Sequence, residues 1–204
     1  MERRTLLMAG VAGGLASAIS LAAHAKEGPA ASLANPEIDR TRAQFILSQA
    51  GLDGIILNRP ENVFYATGHW PFLARIGVSD ACFAIIPANK AVPIIYVSPQ
   101  FPYYYVAGDV DLASGVVSHL VTGHEGNGAA GASFYPDSAG IVPPPRELRR
   151  RQMTQAAAPY FADIAAAIAA ALAKAGITGG RIGYDSLEAR QFLARRKDLL
   201  PAIP

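Results

Sequence analysis

The chain has 204 residues, of which 51% are hydrophobic and 17% are charged, and its formal net charge is +2. This length suffices for one domain with a hydrophobic core, and the nearly balanced charge argues against nucleic-acid-binding and membrane-surface proteins as classes. The single cysteine, Cys82, excludes an internal disulfide framework. Because Cys82 lies in an apolar run, it is predicted to be a small core residue.

The first 25 residues have the organisation of a cleaved export signal. Arg3 and Arg4 form a positive start, residues 6–22 are apolar and rich in Gly and Ala, and a small-x-small cleavage site ends at Ala25. The arginine pair with residues 5–7 resembles a twin-arginine signal, with an ordinary secretory signal as the alternative. We therefore expect a periplasmic or secreted protein without a stable membrane span after cleavage.

A flexible linker is predicted over residues 26–35, followed by one domain over residues 36–204. Asn35 and Pro36 match the N-cap and first position of a helix that ends near residue 50. An apolar run at 52–57 predicts a buried strand. Residues 59–68 then read as a turn that leads into an aromatic loop.

Three more strands are predicted near residues 80–86, 92–97 and 115–121, the first two forming a hairpin. Pro93 suggests an edge strand or a bulge. A proline- and tyrosine-rich loop is expected at 98–105. Residues 122–152 lack periodicity and are predicted to form a flexible loop.

The strongest helical pattern of the mature chain covers residues 154–175, although Pro159 limits its start. A short strand, RIGY, follows, and Ser186 opens a last helix with Phe192 and Leu193 buried. Together these elements predict an α/β fold in which helices flank a mixed β-sheet.

Three strings resemble one known family. They are GLDGIIL at 51–57, PENVFYATG at 60–68 and GITGGRIGYD at 176–185. This combination resembles the N-terminal domain of the creatinase, prolidase and aminopeptidase P family, over roughly residues 37–201. The resemblance implies a ribonuclease H-like fold.

The resemblance also implies a division of labour. In that family a second domain, the pita-bread fold, carries the chemistry, either with two divalent metal ions (Mn, Co or Zn) in Xaa-Pro peptidases or with a histidine in creatinase. The chain stops where that domain would begin, so we expect a truncated or fragment chain that is inactive alone. No catalytic residue and no metal ligand is carried over to it. The predicted function is a non-catalytic, substrate-capping and dimerisation domain of an exported hydrolase.

Candidate substrate-binding residues follow the Thr-Gly turn. The resemblance points to Phe72 and Arg75, and the neighbouring Trp70 and His69 complete the set. An aromatic wall with a guanidinium suits a small peptide or carboxylate substrate. The alternative is that the aromatic side chains cover the sheet edge and Arg75 pairs with a surface acid. The expected partner is a second copy or the missing catalytic domain, with no nucleic acid.

Other patterns leave alternatives open. Residues 103–105, three tyrosines, fit a dimer surface or a loop that covers the sheet. His119, His124 and Glu125 have no common zinc spacing, which favours a strand end and loop over a metal site. The arginines of residues 146–151 favour a solvated helix start. A stand-alone small-ligand or protein-interaction module of the same fold is the alternative function.

Overall fold

The computed structural model describes residues 38–78, 81–107, 110–123, 142–177 and 179–196. The predicted signal peptide and linker lie outside these ranges. None of the described helices combines the length and apolarity that crossing a bilayer requires. In chain order the elements are α1 (Arg40–Gln49), β1 (Gly54–Leu57), α2 (Pro60–Thr67), a 3₁₀ helix (Phe72–Ile76), β2 (Phe83–Pro87), β3 (Ile94–Pro99), α3 (Gln100–Ala107), β4 (Val116–Val121), α4 (Pro145–Ala156), α5 (Ile164–Lys174), β5 (Ile182–Tyr184) and α6 (Leu187–Ala194).

The five strands form one mixed sheet in the order β4-β3-β2-β1-β5. The pairs β1–β2 and β2–β3 are antiparallel, whereas β3–β4 and β1–β5 are parallel. Parallel neighbours need a crossover connection, and α3 lies in the one between β3 and β4. The structure thus confirms the predicted α/β class with helices around a mixed sheet.

Both faces of the sheet are covered, since successive strand residues point to opposite faces. Phe83 and Ile85 of β2 pack in one core cluster with residues of α5 and α6. Ala84 and Ile86 pack in the other, with residues of α2 and α3. Cys82 is buried in this second cluster, as its apolar run predicted.

Helix α1 begins at Arg40, so the continuous helix predicted from Pro36 is wrong at residues 38 and 39; Asn35 and Pro36 themselves lie outside the described ranges. The side chain of Asp39 accepts hydrogen bonds from the backbone N–H groups of residues 41 and 42, each at 3.0 Å, and this caps the helix. Arg40 is fixed there because its Nη2 donates to three carbonyl oxygens at the β2–β3 connection, those of residues 87, 89 and 92.

Two segments predicted as a turn and a loop are helices. Pro60 occupies the first turn of α2, where its missing N–H costs nothing, and Gly68 ends the helix in the left-handed conformation, φ 76°. Residues 98–105 largely belong to α3, which tolerates Pro102 because it too falls in the first turn. Proline was read as a breaker in both places, although it can open a helix.

The predicted loop at 122–152 is also partly helical. Helix α4 begins at Pro145, with Glu147 in its first turn, so the last eight residues of that range are helical; residues 124–141 lie outside the described ranges. The single helix predicted over 154–175 is interrupted around Pro159. It resumes as α5 behind Asp163, whose side chain accepts from Ala166 N at 2.8 Å.

Strand β3 lies between β2 and β4, so the edge position that Pro93 suggested is wrong. Pro93 immediately precedes the first residue of the strand, Ile94, and therefore removes no hydrogen bond from the ladder. The short strand RIGY and the helix opened by Ser186 are confirmed. The Ser186 side chain accepts from Ala189 N at 3.0 Å, and Leu193 is fully buried.

Hydrogen bonds between GLDGIIL and GITGGRIGYD, two of the strings that resemble the known family, join β1 to β5. The Asp53 carboxylate accepts from Arg181 N at 2.8 Å, and Asp53 N donates to Arg181 O at 2.8 Å. A Cβ atom on Gly180 would lie 2.6 Å from Asp53 Oδ2. Only glycine therefore fits at this position without displacing the carboxylate.

A second tie joins the end of β5 to the start of α2. The Asp185 carboxylate accepts from Asn58 N at 2.9 Å, Arg59 N at 3.0 Å and Asn62 Nδ2 at 2.9 Å. Because Arg59, the N-cap of α2, has no side-chain cap bond, the distant carboxylate supplies negative charge at this helix end. Asn62 of PENVFYATG and Asp185 of GRIGYD thus serve the fold by binding each other.

Candidate functional site

The candidate segment at residues 69–76 is set in place by the Thr-Gly turn. Thr67 Oγ1 donates to Val63 O at 2.8 Å and accepts from His69 N at 3.1 Å. Thr67 O accepts from Ala113 N at 2.8 Å. These bonds end α2 and hold the start of the segment against the loop before β4, so the following side chains project from a fixed base.

The His69 side chain lies inside the fold, with 1% of its surface exposed. Its ring contacts Tyr96 and Tyr103 at centroid distances of 5.9 and 5.6 Å, and its Nε2 is 3.0 Å from Val110 O. Burial lowers the pKa of His69, although the Val110 carbonyl and the charge of Asp111 oppose this shift. His69 therefore acts as a neutral support beneath the segment.

Trp70 and Phe72 are on the outside. With Tyr65 and Ile76 they are the exposed large apolar side chains of residues 60–76, and we call this set the aromatic surface; the exposed fractions are 59% for Tyr65, 37% for Trp70, 41% for Phe72 and 70% for Ile76. The half-buried Phe64 ring joins Tyr65 and Trp70, at centroid distances of 6.0 and 5.9 Å. Arg75 belongs to the adjoining 3₁₀ helix, and its side chain lies outside what the structure describes.

The three tyrosines of residues 103–105 do not form an exposed cluster. Tyr103 and Tyr104 are buried, and Tyr105 is partly exposed on α3. Tyr104 donates a hydrogen bond to Glu147 of α4, and the Arg150 guanidinium lies 5.6 Å from the Tyr104 ring centroid. Of the two alternatives, the structure favours a segment that covers the sheet.

The arginine run of residues 146–151 makes contacts that hold α4 in place. Arg149 pairs with Asp111, Arg150 donates to Tyr105 O at 3.1 Å, and Arg151 pairs with Glu147 at 3.1 Å. These partners belong to the loop before β4, to α3 and to α4 itself. Much of the run's positive charge is therefore already engaged within the fold.

His119 lies in the interior of β4. Its ring stacks on Phe161 at a centroid distance of 4.9 Å, and its Nδ1 is 3.3 Å from Ala167 O. Burial lowers its pKa, against the effect of this carbonyl. His124 and Glu125 lie outside the described residues. Within the described ranges, no three His, Cys, Asp or Glu side chains come together in a way that would hold a metal ion.

Sequence reasoning missed a cleft of about 470 Å³ beyond the carboxyl ends of β1 and β5. Residues from both halves of the chain line it: Arg59, Ile182, Gly183, Tyr184, Asp185, Ser186, Leu187 and Arg190. The available signal was Asp185 directly after the short strand RIGY, because ligands in open α/β sheets bind beyond the carboxyl ends of strands. The partners Arg59 and Arg190 are too far apart in sequence to be read together.

The fold and its two carboxylate ties define an α/β domain with an exposed aromatic surface at the end of α2. A family model described as Creatinase/Prolidase N-terminal domain matches residues 40–202. The chain belongs to this family, as the sequence strings indicated. No curated protein and no solved structure gives a significant match to it.

Proposed function

We propose that this domain caps the substrate site and mediates dimerisation of an exported hydrolase of the creatinase or Xaa-Pro peptidase kind. The observation that carries the proposal is the aromatic surface. Its members Trp70 and Phe72 remain substantially exposed. Trp, Tyr and Phe are enriched in protein interfaces, where they provide large, rigid contact areas.

The position of the aromatic surface supports a capping role. Its members lie on the end of α2, on the 3₁₀ helix and between the two, where a Thr67 hydrogen bond fixes His69 and the His69 side chain is buried. A lid must present its side chains in a defined geometry to exclude water and orient a substrate. Rings on such a base would pack on the apolar part of a small substrate.

Arg75 gives the proposed lid its charge. It is in the segment that carries Trp70 and Phe72, and a guanidinium binds a carboxylate through two parallel hydrogen bonds. In this proposal the bond-breaking groups, whether two divalent metal ions or a histidine, belong to the catalytic domain of the hydrolase. The residues described above bind and shield the substrate.

The partner that we propose to lie over the aromatic surface is a second copy of the chain, and a substrate would be enclosed between this surface and that partner. Small interfaces of this kind are weak when they act alone, so we expect reversible association in the micromolar range. The export part of the proposal is supported by the twin arginines Arg3 and Arg4 and the apolar residues 6–22.

Sedimentation velocity over a concentration series tests the proposal. We expect a monomer–dimer equilibrium that Phe72→Ala weakens at least about fivefold, since truncating an interface aromatic commonly costs more than 1 kcal/mol. Phe45→Ala is the matched control, because Phe45 is exposed on α1. A wild-type chain that stays monomeric throughout, or an equal effect of both substitutions, would refute this role.

A further inference from the structure

We infer that the cleft beyond β1 and β5 binds a small ligand that has an oxyanion group and an apolar part. This site lies at the N-terminal end of α2, whereas the aromatic surface lies at and beyond the C-terminal end of that helix. It is therefore separate from the proposed lid. The shared chemistry of its ligands is a carboxylate or a phosphate group.

Two guanidinium groups supply the charge. Arg59 comes from the start of α2 and Arg190 from α6, and neither side chain has a hydrogen-bond or ion-pair partner among the described residues. The only carboxylate that lines the cleft is Asp185, which already accepts three hydrogen bonds. The lining thus keeps one net positive charge, and paired guanidinium groups are the usual partners of oxyanions in proteins.

Tyr184 supplies an unused hydrogen-bond donor. Its hydroxyl oxygen is buried and has no hydrogen-bond partner among the described residues. Burial raises the pKa of Tyr184 to about 12, although the charge of Arg190 opposes this shift. The hydroxyl therefore feels the field of a cleft arginine and remains protonated at neutral pH. A buried donor without an acceptor is costly, and a bound oxyanion would relieve that cost if the Tyr184 ring moves to give it access to the enclosed hydroxyl.

The apolar residues that line the cleft are the reason for the apolar part of the inferred ligand. Ile182 and Leu187 border the cleft, and Leu187 is largely exposed. Leu187 is also the first residue of α6, and a negative charge is favoured at the first turn of a helix. A ligand with an anionic head and a small apolar body would cover Leu187 while its head reaches the arginines.

Titration of the full chain with benzoate and, separately, with inorganic phosphate tests this inference. Amide chemical shifts of Gly183 and Leu187 report on the cleft. We expect saturable binding of at least one probe. Tighter binding of benzoate would identify a carboxylate ligand, and tighter binding of phosphate would identify a phosphate ligand.

Three variants sharpen the test. We expect Arg190→Gln to weaken binding at least about tenfold, because it removes a charged donor. Tyr184→Phe removes a neutral donor and should weaken binding about threefold. Arg195→Gln, which removes the same charge from an exposed position at the end of α6, should leave affinity unchanged. Their amide spectra establish that each variant is folded.

Absence of saturable binding of either probe to the wild-type chain would overturn the inference. So would binding that Arg190→Gln leaves intact, or that Arg195→Gln weakens equally, since the effect would then be one of general charge. These outcomes do not bear on dimerisation, which sedimentation of Phe72→Ala tests independently.

Discussion

Replacing Asp185 should destabilise the contact between the end of β5 and the start of α2, which are distant in sequence. Its carboxylate accepts hydrogen bonds from Asn58 N, Arg59 N and Asn62 Nδ2, at 2.9, 3.0 and 2.9 Å. In Asp185→Ala all three donors lose this acceptor, and α2 loses the negative charge near its N-terminus. The substitution therefore tests whether the string GRIGYD is needed for stability through this tie.

The magnitude follows from the kind of hydrogen bond. Bonds to a charged acceptor contribute about 1.5–3 kcal/mol each, but these three share one carboxylate, two of them are only partly buried and one is exposed. We therefore expect a total loss of about 3 kcal/mol, and about half of that for Asp185→Asn, whose amide oxygen still accepts. For a chain of this length each kcal/mol lowers the melting temperature by about 2–4 °C.

Urea unfolding followed by far-UV circular dichroism measures this loss. The matched control is Asp111→Ala, which removes a carboxylate that pairs with Arg149 at a largely exposed position. Exposed ion pairs contribute at most about 1 kcal/mol, so the control should unfold near the wild-type midpoint. If Asp185→Ala costs no more than the control, the tie between β5 and α2 is not what stabilises this region.

Three other predictions concern stability. Gly180→Ala should cost about 1–3 kcal/mol, because its Cβ would lie 2.6 Å from Asp53 Oδ2, and differential scanning calorimetry checks this. Arg40→Lys should cost about 1–2 kcal/mol in urea unfolding, since one ammonium group cannot reproduce the guanidinium contacts with three carbonyl oxygens. Burial lowers the folded-state pKa of His69 and His119 below 6.5, so as the pH falls the unfolded chain takes up protons first. The free energy of unfolding should therefore be at its full value above pH 6.5 and decrease below it. In urea unfolding at a series of pH values, His69→Gln should make this decrease less steep, and an unchanged slope would contradict the prediction.

The sheet was largely readable from the sequence because its strands are short apolar runs. Strand β2, for example, is buried along its whole length, and the hairpin with β3 was found in the correct order. Local signals also identified Ser186 as the start of α6. Such features depend on neighbouring residues, which a single sequence displays directly.

The errors arose where one residue type serves two roles. Pro60 was placed in a turn and Pro145 fell in a predicted loop, but each opens a helix. Helix α1 begins behind its cap Asp39, and its first residue, Arg40, is held by the β2–β3 connection about fifty residues away. Tertiary contacts of this range leave no local signal.

The sequence also indicated only part of the candidate site. Trp70 and Phe72 were named as candidates from their position after the Thr-Gly turn, and both are exposed; their substrate-binding role stays a prediction. The cleft was missed because Arg59 and Arg190 become neighbours only through the parallel pairing of β1 with β5. Only the folded chain brings these two residues to one cleft.

The most direct test of the account is the fluorescence of Trp70, the only tryptophan in the chain, measured as protein concentration rises. If a second copy covers the aromatic surface, association should move the Trp70 emission maximum to shorter wavelengths, and Phe72→Ala should remove this shift. A constant emission maximum over a range in which sedimentation detects dimers would show that the chains meet elsewhere and would contradict the proposal.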